Sequence, residues 1–217
     1  MVKNIQDNQY LEMLKTVIRD KRSDSKLLQD HLFDAGFLMG IKICEERLLH
    51  KATIETPMHF TYEELQIKKT CNSVIISTKD DYAFFASGLN RAIKSDYQGY
   101  MDFNGVRGKD TFSSPIRSIE LPEIKNGLAV ENVIIAKSVF ATGCTAISLA
   151  KKALEKYMPS KLIIVGIFYS VNGVNELQTA LPNADIYICG NPDNIDNNGI
   201  LIPGIGNIDE RLKLSCG

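Results

Sequence analysis

The sequence has little of what would mark a metal protein, a secreted protein or a nucleic-acid binder. Its five cysteines, Cys44, Cys71, Cys144, Cys189 and Cys216, are scattered, odd in number and without a CxxC pair. That distribution argues against a zinc site and a disulfide framework and for a reducing compartment. The three histidines, His31, His50 and His59, form no HExxH or HxH spacing, and the run DNIDNN at 193–198 lacks the Gly and terminal Glu of a calcium loop. Both read as surface features. Lys and Arg number 25 against 26 Asp and Glu, a formal net charge of -1, so the basic footprint of a nucleic-acid partner is missing. No apolar run approaches the ~18 residues of a membrane span, and MVKNIQDNQYLEML is too polar for a signal peptide. A cytoplasmic protein without nucleic-acid or membrane partners is expected.

What is present fits one domain over 1–217, long enough to bury roughly 70% of the surface of its unfolded chain. Asp7 can cap a first helix, NQYLEMLKTVIRD, whose Leu11, Leu14 and Ile18 share one face. Ser23 or Asp24 opens a second, SKLLQDHLFDAGFLMGIKICEERLL, with Leu28, Leu32, Ala35, Met39 and Cys44 on its buried stripe. Gly36 and Gly40, four apart, allow close helix packing or a dimer contact. Strand candidates follow at Val74 to Ile76, Gly99 to Phe103, Ile116 to Leu121, Val133 to Ile135, Leu162 to Phe168 and Ala184 to Ile188. Helical patterns lie between them at Tyr82 to Ile93, Thr145 to Tyr157 and Val174 to Leu181. Continuous apolar strands alternating with helices predict an α/β fold with a parallel sheet covered on both faces. The Gly-, Pro- and charge-rich segment 105–127 suits a mobile excursion from that sheet.

Two stretches carry chemistry. VIIAKSVFATGCTAISL (133–149) is an apolar run, then Ala141-Thr142-Gly143-Cys144-Thr145, then a helical pattern. Such a turn can wrap backbone N–H groups around a phosphate at a helix N-terminus, with Thr142 and Thr145 adding hydroxyl donors. A plain connection has the same composition, and neither the Walker order nor a GxGxxG turn is present. Cys144 at a helix start is either a small packing residue or a nucleophile with lowered pKa; no base and orienter accompany it. GILIPGIGNIDERL (199–212) is a bent apolar loop in which Pro203, Gly204 and Gly206 turn the chain and expose backbone groups that can read a flat base.

Together these stretches resemble the uracil phosphoribosyltransferases, whose phosphate loop reads like DPMLATGGS and whose C-terminal loop reads like GYIVPGLGDAGDR. IRDKRSDSKLLQDHLFDAGFLMGIKI and GVNELQTALPNADIY are similar to further family segments, in the family's order. The resemblance implies the type I phosphoribosyltransferase fold with N-terminal helices, a small cap or hairpin, and assembly as a homo-oligomer. It implies the reaction of uracil with 5-phosphoribosyl 1-diphosphate (PRPP), assisted by Mg²⁺, to give uridine 5′-monophosphate (UMP) and diphosphate. Ala141, Thr142, Gly143, Cys144 and Thr145 would then hold the 5′-phosphate, and the backbone of Leu201 and Gly206 the base edge. Arg107 and Arg211 match family arginines.

The departures fall on the reacting groups. The family's acidic residue at the start of the phosphate loop is Lys137, and the arginine of its diphosphate loop aligns with Asp80. The Asp of PGLGD is Asn207, and the Tyr beside the base is Ile200. A charged lysine cannot accept a ribose hydroxyl. An inverted unit charge at about 4 Å is worth roughly 4 kcal/mol at an effective dielectric near 20, about a thousandfold in binding. Asp80 and Lys137 either pair with each other or face solvent, or else Lys137 takes an anionic group of a different ligand while Asp80 holds its amine or hydroxyl. The expectation is a family member that binds UMP or a related 5′-phosphorylated ligand. A non-catalytic regulatory or scaffold subunit, and an enzyme with altered metal and diphosphate ligands, are the alternatives.

Overall fold

The computed structural model describes residues 1–6, 8–67, 72–103, 110, 112, 116–125 and 129–213. The chain begins with a strand, β1 (Val2–Ile5), followed by α1 (Gln9–Arg19) and α2 (Ser25–Ile43). A π-helical turn, Cys44–Leu48, leads into a hairpin of β2 (Leu49–Glu55) and β3 (Thr61–Ile67). Next come β4 (Ser73–Thr78), the short α3 (Lys79–Asp81), a second π-helical turn (Tyr82–Ala86), α4 (Ser87–Ile93), β5 (Tyr97–Asp102) and β6 (Ser118–Glu120). The second half holds β7 (Asn132–Ala136), β8 (Val139–Phe140), α5 (Cys144–Tyr157), β9 (Lys161–Val165), β10 (Phe168–Tyr169) and α6 (Val171–Ala180). It closes with β11 (Asp185–Cys189), β12 (Asn194–Ile195), β13 (Leu201–Ile202) and α7 (Ile208–Lys213).

Seven strands form the central sheet in the order β1-β11-β9-β7-β4-β5-β6. Every pair is parallel except β5 with β6 at the edge. The continuous apolar runs are explained by two-sided burial. Ile75, Ile134 and Ile163 face a core shared with α1, α2 and α4, while Val74, Val133, Ile135 and Ile164 face one shared with α5 and α6. The expected parallel α/β fold is therefore present, with an antiparallel strand where Ile116 to Leu121 was expected to extend the sheet.

The small residues of α2 serve packing within the chain. A Cβ on Gly36 would sit 2.0 Å from the Phe85 carbonyl oxygen, and one on Gly88 of α4 would sit 1.9 Å from that of Phe33. The two helices thus touch backbone to backbone, which only glycine permits. Asp24 caps α2 by accepting from the Leu27 N–H. At α1 the cap is Asn8, accepting from the Leu11 N–H, while Asp7 lies outside the described residues.

Three elements differ from expectation. The helical pattern beyond Cys44 ends in the π-helical turn, because Leu49–Glu55 pairs along its length with Thr61–Ile67 and that pairing overrides the local pattern. The hairpin is largely exposed and shows no apolar alternation, so its sequence gives little strand signal. The N-terminal strand is four residues long and takes its burial from β11, with Val2 opposite Ile186 and Ile5 opposite Cys189. At the hairpin's far end Ile54, Met58, Phe60 and Tyr62 are exposed together. Of the expected excursion at 105–127, residues 105–109, with Arg107, 111, 113–115, 126 and 127 lie outside the described residues, as do Cys71 and Cys216.

Candidate active site

From β4 the chain moves to β5 on one side, whereas β7 continues to β9 and β11 on the other. Open parallel sheets gather ligands beyond the carboxyl ends of strands at such a reversal. A cavity of about 180 Å³ lies there, bounded by Thr78 and Asp80 after β4, Phe103 after β5 and Lys137 after β7.

One wall is the turn from β8 into α5, with Ala141, Thr142, Gly143, Cys144 and Thr145 on the cavity. Gly143 has φ +75, and a Cβ there would meet the Gly173 carbonyl oxygen at 2.7 Å, so the turn is pressed against α6 and requires glycine. Ser170 braces it: its hydroxyl donates to the Ala141 carbonyl (2.6 Å) and its N–H to that of Phe140 (3.1 Å). The first-turn N–H groups of the 14-residue α5 have no intrahelical acceptor and carry the positive end of the helix dipole. Cys144 is buried, its sulfur 3.9 Å from the Thr142 carbonyl oxygen, as a packing residue would be.

The opposite wall is the C-terminal loop, with Asn198, Gly199, Ile200, Leu201, Ile205 and Gly206. The β12–β13 hairpin starts it, and Asp196 closes the tight turn by accepting from the N–H groups of Asn198 (2.9 Å) and Ile200 (2.7 Å). Two arginines then fix the loop. Arg19 binds Asp193 through two bonds (2.9 and 2.8 Å) and donates to the Gly204 carbonyl (2.8 Å). Arg211 donates to the carbonyls of Ile18 (2.6 Å), Ile205 (2.8 Å) and Asp20 (2.8 Å), and its burial lowers its pKa. Thus DNIDNN is a turn that lies mostly at the surface, as expected, except for Asp193, which is buried against Arg19.

Between the walls lie the charges. Lys137 pairs with Asp81, not with Asp80: its Nζ stands 2.7 Å from Asp81 Oδ2, with the two side chains 12% and 1% exposed. The same Oδ2 accepts from the Thr78 hydroxyl (3.1 Å) and the Ser138 N–H (3.3 Å), while Oδ1 is buried without a hydrogen-bond partner among the described residues. Asp80 instead lines the cavity, as does Asp209 of α7. Burial first, and then Asp209, push the Asp80 pKa up to about 7, with Lys137 opposing. The neighbouring Lys79 is turned to Asp102 at 3.6 Å.

Of the residues singled out in the sequence, Lys137, Asp80, the 141–145 turn, Ile200, Leu201 and Gly206 come together on one cavity. Asn207 and Arg211 are not among its lining, and Arg211 acts as a brace for the loop. Sequence reasoning missed Asp81, Asp209, Phe103 and Arg19. The Asp80-Asp81 doublet was the available signal for the first; nothing local marks Asp209, which becomes a site residue only when α7, packed against α2, reaches the cavity.

The sequence model of one family, described as uracil phosphoribosyltransferase, matches residues 100–212. The uracil phosphoribosyltransferase of Thermococcus sibiricus is 27% identical over 211 residues, covering 97% of this chain and 88% of that protein. That of Pyrococcus furiosus is 26% identical with 97% and 88% coverage. Among solved structures, the AQ2163 protein from Aquifex aeolicus shares the fold with a TM-score of 0.81, 21% identity and 99% of each chain covered. With the family's sequence pattern matched across more than half of its length, the chain belongs to the uracil phosphoribosyltransferase family.

Proposed function

We propose that this chain binds a pyrimidine nucleoside 5′-monophosphate, UMP in the first instance, and that transfer from PRPP is suppressed. One observation carries the reading: the 141–145 turn and the 199–206 loop face each other across a single cavity whose intervening charge is an acid pair. A 5′-phosphate would lie on the α5 N-terminus, accepting from backbone N–H groups and from the Thr142 and Thr145 hydroxyls. The backbone of Leu201 and Gly206 would meet the base edge.

A diphosphate is a different case. Among the described residues, Lys137 is the only cationic side chain on the cavity, and Asp81 already neutralises it. A diphosphate beside Asp80 and Asp209 would meet like charge in a half-buried site, where each close contact costs several kcal/mol. Mg²⁺, which the family resemblance implies for PRPP, does not fit this donor set. Burial and Asp209 raise the pKa of the Asp80 carboxyl to about 7, so it keeps its proton near neutrality, whereas Mg²⁺ takes deprotonated oxygen ligands in near-octahedral array. No group of three or more His, Cys, Asp or Glu that could hold a metal occurs among the described residues. No step of the chemistry is therefore routed through the metal.

The scaffold alternative draws on a separate observation. Ile54, Met58, Phe60 and Tyr62 form an exposed apolar end on a two-stranded hairpin, the kind of surface that self-association covers. This supports the homo-oligomer expected from the resemblance.

Titration calorimetry is expected to show UMP binding at least tenfold tighter than PRPP with Mg²⁺. PRPP binding as well as UMP would contradict the reading, and no nucleotide binding at all would favour the scaffold. Asp80→Arg is expected to raise PRPP affinity by tenfold or more, since it replaces repulsion by attraction at one contact. An unchanged affinity would mean the diphosphate lies elsewhere. Sedimentation at micromolar concentration is expected to give an oligomer that Phe60→Glu dissociates; a variant that sediments like the parent would remove the hairpin from the interface.

A further inference from the structure

The two walls of the cavity come from separate stretches of sequence, yet a chain of contacts joins them. β8, which leads into the 141–145 turn, pairs in parallel with β10, Phe168 opposite Val139 and Tyr169 opposite Phe140. Just after β10 the buried Ser170 donates its hydroxyl to the Ala141 carbonyl (2.6 Å) and forms a parallel β-bridge with Asp193. The Asp193 N–H donates to the Tyr169 carbonyl at 2.7 Å. The Asp193 carboxylate, 5% exposed, accepts from both terminal nitrogens of the Arg19 guanidinium. The same guanidinium donates to the Gly204 carbonyl and lies 4.7 Å from the centre of the Phe168 ring. From the phosphate turn to the base loop, every step is a hydrogen bond or a peptide neighbour. On the cavity itself the walls also approach each other, since a Cβ on Gly199 would stand 3.2 Å from the Thr142 methyl.

We propose that Arg19 and Asp193 are a positioning pair that fixes the spacing between the phosphate turn and the base loop, and thereby selects ligands carrying both a 5′-phosphate and a pyrimidine base. The inference rests on the binding reading above and adds the residues that set its selectivity. Neither side chain is among the cavity's lining, so each acts through the backbone it holds.

The anchored residue is well placed for this. Gly204 lies between Leu201 and Gly206, whose backbone would meet the base edge. It has φ +62, and a Cβ on it would stand 2.2 Å from the Leu201 carbonyl oxygen, so Gly204 and Leu201 form one tight turn. Holding the Gly204 carbonyl therefore holds that turn. A guanidinium–carboxylate fork fixes direction as well as distance, which a single hydrogen bond does not. A loop held in this way loses little freedom when a ligand arrives, whereas a loosened one must be ordered at each binding event. A ligand that grips both walls gains from the linkage only while their spacing matches its span. Ribose 5-phosphate, which lacks the base, would reach the phosphate turn alone and is insensitive to that spacing.

The test titrates the full chain and its variants with UMP and with ribose 5-phosphate by calorimetry. Arg19→Ala is expected to weaken UMP binding tenfold or more and ribose 5-phosphate binding less than threefold. Asp193→Asn, which keeps the side-chain shape and the backbone bridge, is expected to move UMP affinity in the same direction by a smaller factor; it carries the test if Arg19→Ala does not fold. Arg19→Lys keeps the charge without the fork and is expected to recover part of the loss. Equal losses for UMP and ribose 5-phosphate would show a general structural role and overturn the positioning inference, as would variants that bind UMP like the parent. A parent that binds ribose 5-phosphate as tightly as UMP would overturn the selectivity, and a parent that does not bind UMP would overturn the binding reading with it.

Discussion

The ion pair between Lys137 and Asp81 decides how the candidate site is charged. It ties the carboxyl end of β7 to the first turn after β4, the two neighbouring strands where the sheet reverses direction. Asp80 and Asp81 are successive residues on a helical turn, so their side chains point roughly 100° apart. With Asp81 drawn inward by Lys137, Thr78 and the Ser138 N–H, Asp80 is left facing the cavity. There α7 brings Asp209 against it. The Lys137 substitution that looks like an added positive charge in the sequence thus contributes no free charge, and the cavity between the phosphate cradle and the base loop is acidic.

The same geometry explains which inherited features persist. The phosphate cradle depends on Gly143 pressed against α6 and on Ser170, and none of these touches the charge exchange. The C-terminal loop depends on Arg19 and Arg211, which hold its carbonyls from behind. Cradle and loop are consequently independent of what lies between them. Conversely, restoring a carboxylate at Lys137 alone would leave two acids facing each other in a buried site, and stranding a buried charge costs about 3–5 kcal/mol. Lys137 and Asp81 therefore stand or fall together.

Much of this was legible in the sequence. The alternation of apolar strands and helices, the stripe on α2, the ATGCT turn and the PGIG loop each encode their structure locally, and all take the places expected of them. What was hidden is what depends on pairing at a distance. The edge strand Val2–Ile5 is only partly buried and is held by pairing with β11, and the hairpin 49–67 carries no apolar face to betray it. In the site, both exchanged charges stand out in the sequence, which leaves open whether they pair with each other, face solvent or hold a ligand; Lys137 instead takes Asp81. One residue of difference, Asp81 in place of Asp80, reverses the side to which the free carboxyl points, and no periodicity reports that. Asp209 is likewise invisible until α7 packs on α2 and reaches the cavity.

The central claim is that burial and the approach of Asp209 raise the pKa of the Asp80 carboxyl in this cavity, and the stability of the protein as a function of pH tests it most directly. The Asp80 pKa is raised from its unfolded value near 4 to about 7, so the folded state holds the proton that the unfolded state releases. The stabilising contribution is complete below about pH 4 and is lost as pH rises through 7, on the order of a few kcal/mol in all. Urea unfolding from pH 5 to pH 8.5 should show the parent losing stability relative to Asp80→Asn, with the gap widening steadily toward pH 8. Parallel curves for the two proteins across that range would contradict the raised Asp80 carboxyl, and with it the acidic reading of the site.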